Sequence, residues 1–334
     1  MTSSLKSSVE LNVFAGLTAL LDFLDPGKHP PTPLVELPEE LNPFASKRVR
    51  VFVKLLFLTP LFNAKLLASR NLFEEAHASG RLKRVHTLVE NSSGNKILAD
   101  ALLARLFGIE NVVAIVPPDI PPKKQALLEL FGAECRKELD GIAKARELGA
   151  QPGWWNPAQY HDEGNPRGSE RWLAPQLWKQ TRRTIRLFCA GIGTGGTIIG
   201  TSRWFRNQAP YVKTLGVVPA KEEVPGVRTL SRLEEIGLPW RTALNFDPIV
   251  VGTEDAYFQS LRLCSRGILA GPSSGMALYG LYRFLGSLDR MELDCSRNDD
   301  GEVVAVVACP DSCMLYLDKY STRLSGKQMM RALE

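Results

Sequence analysis

The chain has 334 residues, enough for one large domain or two modest ones around an ample core. Its 44% hydrophobic and 23% charged residues are ordinary for a soluble globular protein. The net charge is only +5, and no basic stripe with interleaved aromatics runs along the sequence, which argues against a nucleic-acid partner.

In chain order, Leu11 to Leu24 is the most apolar N-terminal run. It carries Asp22 and lacks a basic leader and a cleavage site, so it reads as a short helix in an arm rather than a signal peptide. No stretch is long enough for a membrane span. Proline-rich residues 26–33 break the chain. Short strands are expected at Pro33 to Leu37 and Arg50 to Leu55, then a helix from Asn63 to Ser79 ending at Gly80. A regular alternation follows: strand 84–89, helix 95–108, strand 112–116, helix 123–132. Residues 149–168, rich in Gly, Pro, Trp and Asn, read as a long irregular segment, a kind more often functional than idle. Beyond a helix at 170–180 come strands at 185–190, 215–218, 248–251 and 303–309, with helices at 253–266 and 276–286. Such alternation predicts an α/β protein with parallel sheets, helices on both faces, and ligands at the C-terminal strand ends. The six cysteines are scattered. Only Cys309 and Cys313 are close, with no second pair or nearby histidine, so no metal site is expected. A reducing, cytoplasmic setting fits that pattern.

The rest is organised around Phe188-Cys189-Ala190-Gly191-Ile192-Gly193-Thr194-Gly195-Gly196-Thr197. It reads as strand, tight glycine turn and helix start. Glycines allow close approach of a ligand, and the first-turn N–H groups attract phosphate. Gly191, Gly193 and Gly196 also fit the dinucleotide pattern G-x-G-x-x-G, but the next strand, Thr214 to Pro219, lacks the terminal acidic residue that grips a ribose. A nicotinamide cofactor, a purely structural turn and a smaller phosphate ligand all remain open from the turn alone.

Three further segments stand at expected strand ends. Glu90-Asn91-Ser92-Ser93-Gly94-Asn95 is an anion-friendly helix start, or simply a capped helix. Gly271-Pro272-Ser273-Ser274-Gly275 has the same two readings. Lys65 lies among apolar neighbours, where it either snorkels to solvent or, desolvated, becomes a nucleophilic amine.

Together these segments resemble, in order and over roughly residues 31–320, the fold-type II pyridoxal-phosphate enzymes of the cysteine synthase and cystathionine β-synthase family. Pro31 to Val35 resembles N-T-P-L-V. Val53-Lys54-Leu55 through Lys65 resembles A-K-L-E…N-P…S-V-K. Ser93-Gly94-Asn95 resembles S-G-N, and Gly191 to Thr197 resembles G-x-G-T-G-G-T. Gly267 to Gly275 resembles G-I-L-x-G-x-S-S-G, and Pro310-Asp311-Ser312 with Tyr316 and Leu317 resembles the closing P-D-S/G…Y-L.

The resemblance implies a tryptophan synthase β-like fold of two α/β domains, each a mostly parallel twisted sheet flanked by helices. It implies an arm at 1–30, a first domain at 52–168 with the lysine and the asparagine loop, and a second at 31–51 with 169–325 carrying the glycine turn. It implies pyridoxal 5′-phosphate as cofactor, joined to Lys65. Gly193, Thr194, Gly195, Gly196 and Thr197 would hold its phosphate, Asn95 its 3′-oxygen and Ser273 its ring nitrogen. Asn91, Ser92, Ser93 and Gly94 would take the carboxylate of an amino-acid substrate. The implied reaction is β-replacement on a serine- or cysteine-type amino acid through an aminoacrylate, with Lys65 as base and a sulfide or thiol as nucleophile. Elimination to ammonia and a keto acid, or a non-catalytic relative, are the alternatives. A homodimer is usual in the family. Three departures stand out: Leu66-Leu67 replaces Asp-Arg after the lysine, Lys96-Ile97 replaces Thr-Gly after the asparagine, and Val217-Val218-Pro219 replaces G-V-E-P. Lys96 is expected to point to water or reach a second acidic group of a substrate, and Arg228 to meet an anionic leaving group.

Overall fold

The computed structural model describes residues 6–235 and 237–333. Among them are ten strands. β1 is Leu34–Glu36, β2 Val49–Leu55, β3 Thr87–Asn91, β4 Asn111–Val116 and β5 Ala133–Lys137. β6 is Trp154–Trp155, β7 Ile185–Gly191, β8 Lys213–Pro219, β9 Ile249–Val251 and β10 Val303–Cys309. They form one six-stranded sheet, ordered β1-β2-β10-β7-β8-β9, and one four-stranded sheet, ordered β5-β4-β3-β6. Only β1 runs antiparallel, against β2; every other pairing is parallel. The expected α/β class with two mostly parallel sheets is what the chain adopts.

The chain divides into two compact units: the chain up to Pro31 with Lys65–Gly168, and Thr32–Ala64 with the chain from Ser169 onward. The sequence reading placed a break between residues 51 and 52, inside β2. That strand pairs with β10 from Val49↔Val303 to Leu55↔Cys309, so the whole of it goes with the second unit.

In the second unit, β10 (Val-Val-Ala-Val-Val-Ala-Cys) is buried along its full length between β2 and β7. A run of β-branched and small apolar residues is what a central parallel strand needs, because both faces are covered. Val51, Val53, Leu187, Cys189, Leu215 and Val307 share this core. Lys54 breaks the apolar pattern of β2. Its Nζ donates to Thr32 O at 2.7 Å, Gln180 Oε1 at 2.8 Å and Gln176 Oε1 at 3.0 Å, three acceptors for the three hydrogens of an ammonium. Among the described residues no carboxylate offsets the burial, which pulls its pKa down to about 7.

In the first unit, Val89, Val113, Ile115, Ala145 and Leu148 form the core under β3 and β4. Two expectations are corrected here. The N-terminal helix spans Ala19–Phe23 rather than 11–24, because Asn12 and Gly16 take positive φ and Ser8 bridges to Val13. β3 covers 87–91 rather than 84–89, because Arg81–Arg84 close a 3₁₀ turn first.

Candidate active site

In the second unit the glycine turn leaves the C-terminal end of β7 and opens helix Gly196–Gln208. The Ile192 N–H donates to Val217 O at 3.0 Å, and Ile192 O accepts from the Arg228 N–H at 2.9 Å, so both sides of the turn are fixed by backbone. Gly193 packs on a second turn: a β-carbon there would lie 2.2 Å from Gly226 O. Gly195, the residue before the helix, has φ +86°, the left-handed region that favours glycine. The helix is 13 residues long, and its first N–H groups lack intrahelical partners by construction, so its N-terminus suits a phosphate. Thr194 is nearly buried beside them.

Ser273 sits in the first turn of helix Pro272–Ser287. Sequence reading put this segment at a strand end. It instead follows helix Thr253–Ser265 through a short connection, tied by an isolated bridge between Ala270 and Ser312. The Gly271 N–H donates to Asp311 O at 2.9 Å, and Tyr316 Oη donates to Asp311 Oδ2 at 2.5 Å. The Pro-Asp-Ser segment after β10 thus sets the position of Ser273. Ser273 is 3% exposed, and its Oγ has no hydrogen-bond partner among the described residues. The same segment anchors the approach to the lysine, since the Ala64 N–H donates to Pro310 O at 2.7 Å.

In the first unit, Lys65 is the first residue of helix Lys65–Ala78 and is half-buried. Cations are disfavoured at that end of a helix. Leu66 and Leu67, where the family has Asp-Arg, are 0% and 4% exposed. The departure therefore exchanges a polar pair for core packing and leaves Lys65 at the helix head.

β3 ends at Asn91, and residues 91–95 are half-buried as they turn into helix Asn95–Leu106. The Gly94 N–H donates to Ser92 Oγ at 3.3 Å, and a β-carbon on Gly94 would meet nothing within 4 Å. This loop is strapped to residues 156–165. Asn156 Nδ2 donates to Val89 O at 2.8 Å, Gln159 Nε2 to Asn91 O at 3.2 Å, and Asn165 Nδ2 to Gln159 O at 2.6 Å. The sequence marks that segment as irregular but singles out none of these side chains, since their burial comes from tertiary packing.

Lys96 neither points to water nor is free for a substrate. It is 2% exposed, with Nζ 2.6 Å from Asp100 Oδ1 and 3.8 Å from Glu90 Oε2. Glu90 accepts from the Asn91 N–H at 2.9 Å and the Gln159 N–H at 3.2 Å. Burial pushes its pKa up to about 7 despite the nearby Lys96 ammonium. Arg228 has its guanidinium 3.6 Å from Glu222, so an anionic leaving group would compete with that carboxylate.

A family model described as "Pyridoxal-phosphate dependent enzyme" matches residues 27–307. A cysteine synthase of Staphylococcus aureus (strain Mu50) is 31% identical over 263 residues, covering 74% of this chain and 84% of the relative. Cysteine synthase B of Salmonella typhimurium is 29% identical over 287 residues, covering 83% and 89%. Among solved structures, O-ureido-L-serine synthase superposes with TM-score 0.77 at 21% identity, over 92% of this chain and 96% of that one. An O-acetylserine dependent cystathionine β-synthase from Helicobacter pylori gives 0.74 at 23%, over 92% and 99%. At these identities the superpositions speak for the fold. The residues present fit the cofactor on their own terms: a glycine turn at a helix N-terminus for its phosphate, and a buried, partnerless serine hydroxyl suited to a ring nitrogen. The chain belongs to the pyridoxal-phosphate dependent enzymes, as a fold-type II member of the cysteine synthase group.

Proposed function

We propose that the protein catalyses β-replacement on a serine- or cysteine-type amino acid, with sulfide or a thiol as the incoming nucleophile. When bound, pyridoxal phosphate supplies the electron withdrawal that lets the α-proton and the β-substituent leave. The protein's part falls to a few residues. Lys65 would hold the cofactor, and its amine is the group placed to take the substrate's Cα proton and later return one. Gly193, Thr194, Gly195, Gly196 and Thr197 hold the phosphate. Asn91, Ser92, Ser93 and Gly94 offer N–H and hydroxyl donors to the substrate carboxylate, and Asn95 one to the ring oxygen. Ser273 would be a neutral partner for the ring nitrogen, which would temper electron withdrawal and suit chemistry at Cβ. The partnerless, buried Ser273 hydroxyl carries this reading. A homodimer is proposed on the same family likeness, and sedimentation velocity tests it.

The test supplies purified holoenzyme with O-acetyl-L-serine, O-phospho-L-serine, L-serine or L-cysteine, each with and without sulfide. Formation of a new Cβ–S bond only when sulfide is present supports replacement. Equal release of ammonia and a keto acid in both arms replaces this reading with elimination. No turnover of any substrate sinks both.

A further inference from the structure

Beneath the asparagine loop, three ionisable side chains are shut off from water. Glu90, Lys96 and Asp100 are 1%, 2% and 0% exposed. One ammonium serves two carboxylates, and the distances show an unequal division. Lys96 Nζ bonds both oxygens of Asp100, at 2.6 and 2.5 Å, and stands 3.8 Å from Glu90. Among the described residues, Glu90 accepts from the N–H groups of Asn91 and Gln159. Lys96 and Asp100, both on helix Asn95–Leu106, are the charged groups that face it, and Gln159 adds backbone alone. With all three groups ionised, the cluster holds one excess negative charge. That charge sits one residue before the loop assigned to the substrate carboxylate. Like charges so placed in a poorly solvated site raise one another's proton affinity. Lys96 is itself part of the Lys96-Ile97 departure that stands where Thr-Gly is usual in the family.

We propose that Glu90, backed by Lys96 and Asp100, is a positioning group that holds the Asn91–Gly94 loop and takes up one proton as the substrate's α-carboxylate binds there. The inference rests on residues 91–94 being the carboxylate site. The α-carboxylate remains ionised, and the proton comes from solvent to a Glu90 oxygen, leaving the cluster neutral. Burial, which pushes the Glu90 pKa up to about 7, makes that proton available near neutrality.

The experiment titrates holoenzyme with L-alanine, which has the carboxylate but no leaving group. Wild type, Glu90→Gln and Asp100→Asn are compared between pH 6 and 9. Calorimetry in phosphate and in Tris counts the protons exchanged. The ratio of wild-type to Glu90→Gln affinity should fall by as much as about tenfold per pH unit above neutrality, the limit for one linked proton. Wild type should take up close to one proton more than either variant. Asp100→Asn frees the Lys96 ammonium for Glu90, lowers the Glu90 pKa and abolishes the uptake. It carries the test should Glu90→Gln not accumulate as folded protein. Equal proton counts in all three proteins overturn the proposal. Asn91→Ala and Ser92→Ala separate the underlying assignment. If they weaken alanine binding while proton counts stay equal, the loop assignment stands and the linkage fails. If they leave alanine binding unchanged, the loop assignment itself fails and takes the linkage with it.

Discussion

Gly168 lies against the backbone of Leu67 so closely that a β-carbon would stand 2.3 Å from the Leu67 carbonyl oxygen. Leu67 is two residues into the helix that Lys65 begins, so this contact fixes how the helix head seats in the first unit. Gly168→Ala must push that turn aside, since backbone cannot rotate away as a side-chain tip does. We expect it to destabilise the protein by about 1–3 kcal/mol, the usual cost of overpacking. Urea unfolding measures the loss. Borohydride labelling of Lys65 at saturating cofactor should fall with it.

The phosphate turn makes a second prediction. Gly193→Ala would place a methyl group 2.2 Å from Gly226 O and open the turn on its backbone side. Affinity for pyridoxal phosphate should fall by roughly tenfold or more, a change of about 1.4 kcal/mol per factor of ten. Fluorescence titration of the cofactor-free protein checks this. Unchanged affinity would mean that the phosphate sits elsewhere.

Ser273→Ala should separate stability from cofactor chemistry. In the cofactor-free protein its hydroxyl is buried without a partner, so removing it should leave the melting temperature unchanged or raise it slightly. With cofactor bound, the same change should lower affinity and shift the absorbance band. A large loss of stability without cofactor would contradict the partnerless hydroxyl.

Two buried groups shape stability against pH with opposite signs. Glu90 binds its proton more tightly when folded, near pH 7 against an ordinary 4.5. Its stabilising contribution is complete below about 4.5 and is lost as pH rises to about 7. Lys54 binds its proton less tightly when folded, near 7 against 10.5. Its contribution is complete above about 10.5 and is lost as pH falls to about 7. Each limb is limited to about 1.4 kcal/mol per pH unit. Glu90→Gln should flatten the acid limb and Lys54→Met the alkaline one, read from denaturant midpoints across pH 5–10.

Much of this architecture is legible in the sequence because it is local. The all-apolar run of β10 announces a central parallel strand, and the glycine turn after β7 is written in consecutive residues. What stayed hidden is set by tertiary packing. Glu90 is charged, so it reads as lying past the end of β3, yet the strand runs through it and buries it. Lys96 reads as a surface lysine at a helix start until Asp100, one turn on, is seen to share its burial. Gln159 and Asn165 lie in a segment with no period, where no sequence pattern reports which amides turn inward.

The central claim is that one amine, that of Lys65, holds the cofactor. Borohydride reduction of the holoenzyme followed by peptide mass mapping tests it directly. The account predicts a single phosphopyridoxyl group on Lys65, absent after Lys65→Ala. A label on Lys54, a lysine whose burial disfavours its charge, or on no lysine at all would contradict it.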